Sequence, residues 1–418
     1  MLTRLKQTYR RFPSTFWVII LASFIDNIGR TLLFPFFSLY ITETFNVGMT
    51  QAGMALAMFS IFGVVGNFIG GALTDKFGRR KLILFGLIFS AFSALSLGLA
   101  NSLAILFPLA AVIGLLSDVS GPAHQAMLAD ILDEKQRQEG FSLMRVIHNL
   151  SWMIGPSIGG FLANRSFMLL FVMDAIISCI VAFIFYRFMP ETKPQPHPQE
   201  ERQPHETVWR TIVGYQVVFK DAAFMAFIFA AILMTAVYQQ MYNSLSVFLR
   251  DVHEVTPQGY GFLMTTSAIT VILFQVWVSR KIKNSPPFII MAFGALFYML
   301  GFSLFGFVSL YWLFVSAIVI ITAGEILVVP TSQTLASNFA PIEMRGRYMA
   351  IFGTTWLLPS AFAPMLAGLV LDNLNPNLLW YIGGVLCAIA AFAFYLLHLR
   401  LGKQQRFIPI EAPTPAQD

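Results

Sequence analysis

The sequence predicts an all-α integral membrane protein, with twelve transmembrane helices in two pseudo-symmetric six-helix halves and both termini in the cytoplasm. Three observations carry this. Hydrophobic residues make up 57% of the 418-residue chain and charged residues 11%, with a mean hydropathy of +0.70, about half the charge of a typical soluble domain. Apolar runs of about 20 residues, enough to cross roughly 30 Å of hydrocarbon at 1.5 Å per residue, recur along the whole chain. Lysine and arginine gather at alternate ends of those runs.

The twelve runs centre near Ser23, Phe62, Ser90, Ile113, Ser151, Ile177, Val237, Ala268, Tyr298, Val319, Ser360 and Ile389. They are continuous and lack the ten-residue alternation of a transmembrane barrel, so they read as helices. The first is too long and bulky for a secretory signal and has no small-residue cleavage site after it, so it is expected to be retained. Of the 27 Lys and Arg, all but four fall on the N-terminus, the even-numbered loops and the C-terminal tail. The exceptions are Arg165 and Arg250 on odd-numbered loops and Arg30 and Arg145 inside helices. By the positive-inside rule both termini are cytoplasmic. The net charge of +6 is then a topology signal and does not call for nucleic acid. Cys179 and Cys387, the only cysteines, both sit in apolar runs, which excludes a disulfide framework or a cysteine metal site.

The loops are short except from Pro190 to about Pro204, "PETKPQPHPQEERQP", a Pro-rich polar linker followed by an amphipathic stretch to Lys220. The predicted organisation is a six-helix bundle over 1–189, a cytoplasmic linker over 190–220, a second bundle over 221–402 and a cytoplasmic tail over 403–418. A shift of 208 residues brings Ser38 onto Ser246, Gly53 onto Gly261, Pro122 onto Pro330, Gln125 onto Gln333, Arg137 onto Arg345, Pro156 onto Pro364 and Gly160 onto Gly368. Two parallel repeats of this kind place a substrate site near the midplane of a transporter.

"GGALTDKFGRRK", Gly70 to Lys81, resembles the loop signature of the major facilitator superfamily, with Gly71, Asp75, Gly78, Arg79 and Arg80 in the expected places. "GPSIGG" in the fifth run, with Gly155, Pro156, Gly159 and Gly160, resembles the antiporter motif of that superfamily's drug:proton antiporter branch. The resemblance implies a conformational latch in which Asp130 pairs with Arg79 and Asp75 holds a neighbouring helix end. The second half reads "VSRKIKNSPP" at the equivalent loop, without the Asp and the glycines, so the latch is expected on one side alone. The glycines and proline of "GPSIGG" also let a neighbouring helix approach closely.

Ionisable residues inside membrane helices are candidates for function by default. Asp26 and Arg30 stand one turn apart in "DNIGR" and form an i, i+4 pair able to neutralise each other, structural or opened during transport. Asp118 and Asp174 are further acids of the first half. Arg145 could hold Asp118 or Asp26, and His148 reads as a packing residue or a proton carrier.

Glu325, in "ITAGEILVVP", has no basic residue within two turns, and Pro330 loosens the helix five residues on. Loss of water favours the neutral form of a carboxyl and brings proton binding and release into reach near neutral pH. The stretch "TAGEILVVPTSQTLASNF" resembles the tenth helix of LmrP-like multidrug exporters. That resemblance implies that Glu325 couples proton entry to export of lipophilic cations. Two other acidic positions of that group fall at Met144 and Tyr242 here, which leaves proton number and cation preference open. Tyr238, Gln239, Tyr242 and Asn243 are expected nearest the central cavity, and Gln333 and Trp356 are further candidates for its lining.

Three function classes remain. The first is a proton-coupled exporter of lipophilic drugs or metabolites, cations among them, working by alternating access as a monomer in a prokaryotic cell membrane, with a proton gradient as its energy source and no cofactor. The second is a lipid or glycolipid translocase on the same fold, which would need an apolar groove and few cavity charges. The third is a non-transporting scaffold, which has no use for buried acids. An enzyme is unsupported, because the sequence has no P-loop, nucleophile elbow or metal-ligand cluster.

Overall fold

The computed structural model describes residues 11–193, 216–341, 344–402 and 404. The side chains of Asp75, Glu134, Lys135 and Gln138 lie outside that description, as do most of the expected linker and tail. The described chain is helical and contains no strand.

The helices, in chain order, are α1 (Ser14–Thr44), α2 (Met49–Phe77), α3 (Arg79–Gly98), α4 (Leu103–Ile131), α5 (Glu134–Ala163) and α6 (Phe167–Phe188). The second half supplies α7 (Ala222–Asn243), α8 (Pro257–Ile282), α9 (Pro287–Phe307), α10 (Tyr311–Phe339), α11 (Arg345–Asn373) and α12 (Leu378–Leu401). Eleven of these are long and apolar enough to cross a membrane. The other, α5, is 30 residues long but carries charge along its first three turns.

Two helices of the first half are interrupted by 3-10 turns. Pro35 cannot donate to the helical ladder, and α1 tightens there into a 3-10 turn over Phe34–Phe36. A second 3-10 turn, Asp118–Ser120, interrupts α4 just before Gly121 and Pro122. Pro156, Pro330, Pro359 and Pro364 also lie inside helices.

The described residues form two compact units. The first comprises Met1–Arg202 with Tyr242–Ala268, and the second Gln203–Met241 with Ile269–Asp418. The end of α7, the helix Leu245–His253 that follows it and the start of α8 therefore group with the first half. Close contacts explain this. A Cβ on Gly160 would stand 3.2 Å from the Gly261 Cα, and the Arg250 guanidinium donates to the Thr42 hydroxyl at 3.0 Å.

Small residues hold the first unit together. A Cβ on Gly66 or Gly70 would overlap the carbonyls of Leu115 and Val119, so α2 and α4 pack backbone to backbone. Aromatic rings hold the second. Phe227, fully buried, lies against Phe224, Phe339, Phe352 and Phe394.

Candidate functional site

A cavity of the first unit and one of the second hold most of the expected site residues, and the two differ in chemistry. In the first, α1, α3, α4 and α5 surround a volume of about 490 Å³ lined by Asp26, Asn27, Arg30, Asp118, Arg145 and His148. That size is within the range of small-molecule sites. Asp118 reaches the lining because the 3-10 turn swings it inward and because Gly63 of α2 leaves room: a Cβ there would lie 2.6 Å from Asp118 Oδ2.

Arg30 extends from α1 as an exposed side chain and acts electrostatically on Asp26, Asp118, Asp174, His124 and His148. It makes no direct ion pair with Asp26 among the described residues. The expected neutralising pair is therefore corrected to one guanidinium shared among several carboxyls. His124, which faces the same cavity, has no distinguishing sequence motif; only its place beside Gln125, a position matched in the repeat, could have flagged it.

His148 is partnered. The Trp152 indole N–H donates to its Nε2 at 3.0 Å, and the Trp152 ring meets Tyr242 edge-on at 4.8 Å. The four α7 residues expected together thus divide. Tyr242 and the buried Asn243 belong to the first unit, and Tyr238 and Gln239 to the second.

The second cavity is about 130 Å³, with Tyr238, Tyr298, Gln333, Phe352 and Trp356 in its wall. Tyr238 stacks on Tyr298 at 5.5 Å and meets Trp356 edge-on at 6.0 Å. Gln239 fixes this wall by donating its side-chain amide to the Trp356 carbonyl at 3.1 Å. Glu325 stands directly behind it and is hydrogen-bonded to the Tyr238 side chain. Its other oxygen, Oε2, is fully buried and has no hydrogen-bond partner among the described residues. Gly324 sets the acid's position, since a Cβ there would lie 2.8 Å from the Gly294 carbonyl of α9.

At the helix ends near the α2–α3 turn, Arg79 Nε lies 3.0 Å from Asp130 Oδ2. Gly78 adopts φ +90, which a side chain would strain, and lets the chain turn into α3. Glu191, just beyond α6, accepts from the Arg79 backbone N–H at 2.8 Å and from the Arg80 N–H at 3.2 Å, supplying the acceptor that the start of α3 lacks. Arg80 donates to the Tyr186 carbonyl at 2.6 Å, and Gly71 faces open space. The Asp75 side chain lies outside the described residues. In "GPSIGG", Gly155 and Gly159 pack on Thr31 and Leu32 of α1, Gly160 packs on α8, and the Pro156 carbonyl lies against Gly261.

The model of the Major Facilitator Superfamily matches residues 19–364. A Na(+), Li(+), K(+)/H(+) antiporter of Planococcus maritimus is 28% identical over 83% of this chain and 87% of its own length. The quinolone resistance protein NorA of Staphylococcus aureus is 23% identical over 85% and 89%. The class H tetracycline resistance protein of Pasteurella multocida is 23% identical over 90% and 95%. Among solved structures, a POT family transporter in complex with 5-aminolevulinic acid superposes with a TM-score of 0.77 at 16% identity, covering 93% of this chain and 96% of that one. Matched across most of its length, the chain belongs to the Major Facilitator Superfamily and is a multi-pass membrane transporter, not an enzyme.

Proposed function

We propose that the protein is a proton-coupled antiporter that exports lipophilic organic cations by alternating access, with twelve membrane helices, both termini in the cytoplasm and the plasma membrane of a prokaryote as its home. The observation that carries this reading is Glu325: a carboxyl with one buried, unpartnered oxygen beside a wall of Tyr238, Tyr298 and Trp356. A proton satisfies that oxygen in an apolar site, and a cation seated against the rings balances the charge of the ionised carboxylate behind them. The two states exclude each other, which is the requirement for exchange. Resistance proteins among the relatives support a drug-like cargo. Inward movement of each charge across 100 mV supplies roughly 2.3 kcal/mol for the work.

A second reading, exchange of protons for monovalent metal ions, is favoured by the antiporter named among the relatives and by the carboxyls of the first cavity. A lipid translocase fits less well, because that cavity carries several charges. Proteoliposomes loaded with ethidium and given a pH gradient separate these. Wild-type protein should drive ethidium flux that Glu325→Gln reduces to background. Efflux at wild-type rates in that variant removes Glu325 from the mechanism, and a gradient-driven flux of Na⁺ or K⁺ without ethidium favours the second reading.

A further inference from the structure

Asp174 of α6 is the one acid among the described residues that is less than a tenth exposed, at 6%. Its Oδ1 occupies the space a Cβ on Gly29 of α1 would need, 2.6 Å away, and Ile177 closes the same side. No hydrogen bond reaches the carboxyl among the described residues. An ionised group in that seat would lack donors and keep little water, which a neutral carboxyl tolerates far better.

The surrounding charges divide, with Asp26 disfavouring a second negative charge at Asp174 and Arg30 favouring one. Asp26 and Arg30 act on Asp174 from α1. α3, packed along α6, has its charged residues, Arg79, Arg80 and Lys81, in its first turn, and α5 contributes Arg145 and His148 at the cavity. Three carboxyls, Asp26, Asp118 and Asp174, stand in or behind a cavity that also holds two guanidinium groups, Arg30, which acts on all three, and Arg145. One proton balances the cluster, and Asp174 is the member that does not line the cavity. A path joins them nonetheless. Ser90 lines the cavity and pairs with the Ser178 hydroxyl at 3.3 Å, and Ser178 stands one turn along α6 from Asp174.

We propose that Asp174 is a second proton-binding site, seated on Gly29 and reached from the charged cavity through Ser90 and Ser178. On release, the O–H bond at Asp174 breaks, the proton passes to water in the cavity and the carboxylate left behind is held by the Arg30 charge. The use of this proton in transport rests on the antiport reading, whereas its presence on Asp174 does not.

Infrared difference spectra of the lipid-reconstituted protein between acid and alkaline pH report the C=O stretch of protonated carboxyls. In a Glu325→Gln background, Asp174→Asn should remove a band that remains, and Gly29→Ala should shift it by displacing the carboxyl. In ethidium-transporting proteoliposomes, Asp174→Asn should lower the proton-to-ethidium ratio by one. An unchanged band in Asp174→Asn overturns the proposal. Should that variant not fold, a band left unmoved by both Gly29→Ala and Asp174→Glu overturns it equally. Ethidium transport without proton flux in the wild type would instead refute antiport while leaving the band assignment standing.

Discussion

The two units solve the problem of charge in a membrane in opposite ways. The first gathers Asp26, Asp118, Asp174, Arg30, Arg145 and two histidines around or behind one cavity, where the Arg30 charge acts on all three acids and both histidines. The second sets a single carboxyl, Glu325, behind its aromatic cavity, with a hydrogen bond from Tyr238 and a wall of rings. Redundancy in one unit and its absence in the other lead to different sensitivities. A network tolerates the loss of a member, but a lone acid has no substitute.

The largest expected effect follows from that contrast. Glu325→Gln should abolish proton-driven ethidium efflux in proteoliposomes, whereas Asp118→Asn should leave a reduced but measurable rate. Equal losses would show that the first unit is no more redundant than the second.

The packing contrast gives the next two effects. Phe227→Ala removes a fully buried ring from the aromatic core of the second unit and should cost about 3–5 kcal/mol. Gly66→Ala forces α2 and α4 apart and should cost about 1–3 kcal/mol. Reversible unfolding in mixed micelles, followed by circular dichroism, ranks the two.

Trp356→Ala should weaken tetraphenylphosphonium binding by about 0.5–2 kcal/mol, the range for a ring and a cation, as read by calorimetric titration. The same substitution should not change the infrared signature of the first unit's carboxyls. The smallest effect is expected at the α2–α3 turn. Glu191→Ala removes the acceptor from the first N–H groups of α3 and should cost about 1 kcal/mol, the worth of a helix cap. A null result in thermal unfolding would mean that water replaces the carboxylate.

Much of this could be read from the residues, for stated reasons. The helices were legible because hydrocarbon demands long apolar runs, and α5 stood out less because its first turns are charged. The Arg79–Asp130 proximity and the isolation of Glu325 followed from motif and spacing. What the sequence concealed was facing. Asp26 and Arg30 share a helical face yet make no ion pair among the described residues, and the Arg30 charge acts on Asp118 and Asp174 as well. Tyr238 and Tyr242 lie one turn apart on α7 yet serve different units, because Trp152 holds Tyr242. Asp174 looked like one acid among several, and only the missing side chain at Gly29, on another helix, shows how deep it sits. Spacing along one helix cannot disclose which neighbour a side chain will meet.

The central claim is that Glu325 gives up a proton when a cation binds. Adding tetraphenylphosphonium to purified protein in weakly buffered micelles, with a pH-sensitive dye in solution, measures that exchange without any gradient or transport step. The account predicts proton release from the wild type on binding, with Glu325→Gln still binding the cation, more weakly, while releasing fewer protons per cation bound. Undiminished release from Glu325→Gln, or binding to the wild type with no release at all, would contradict it.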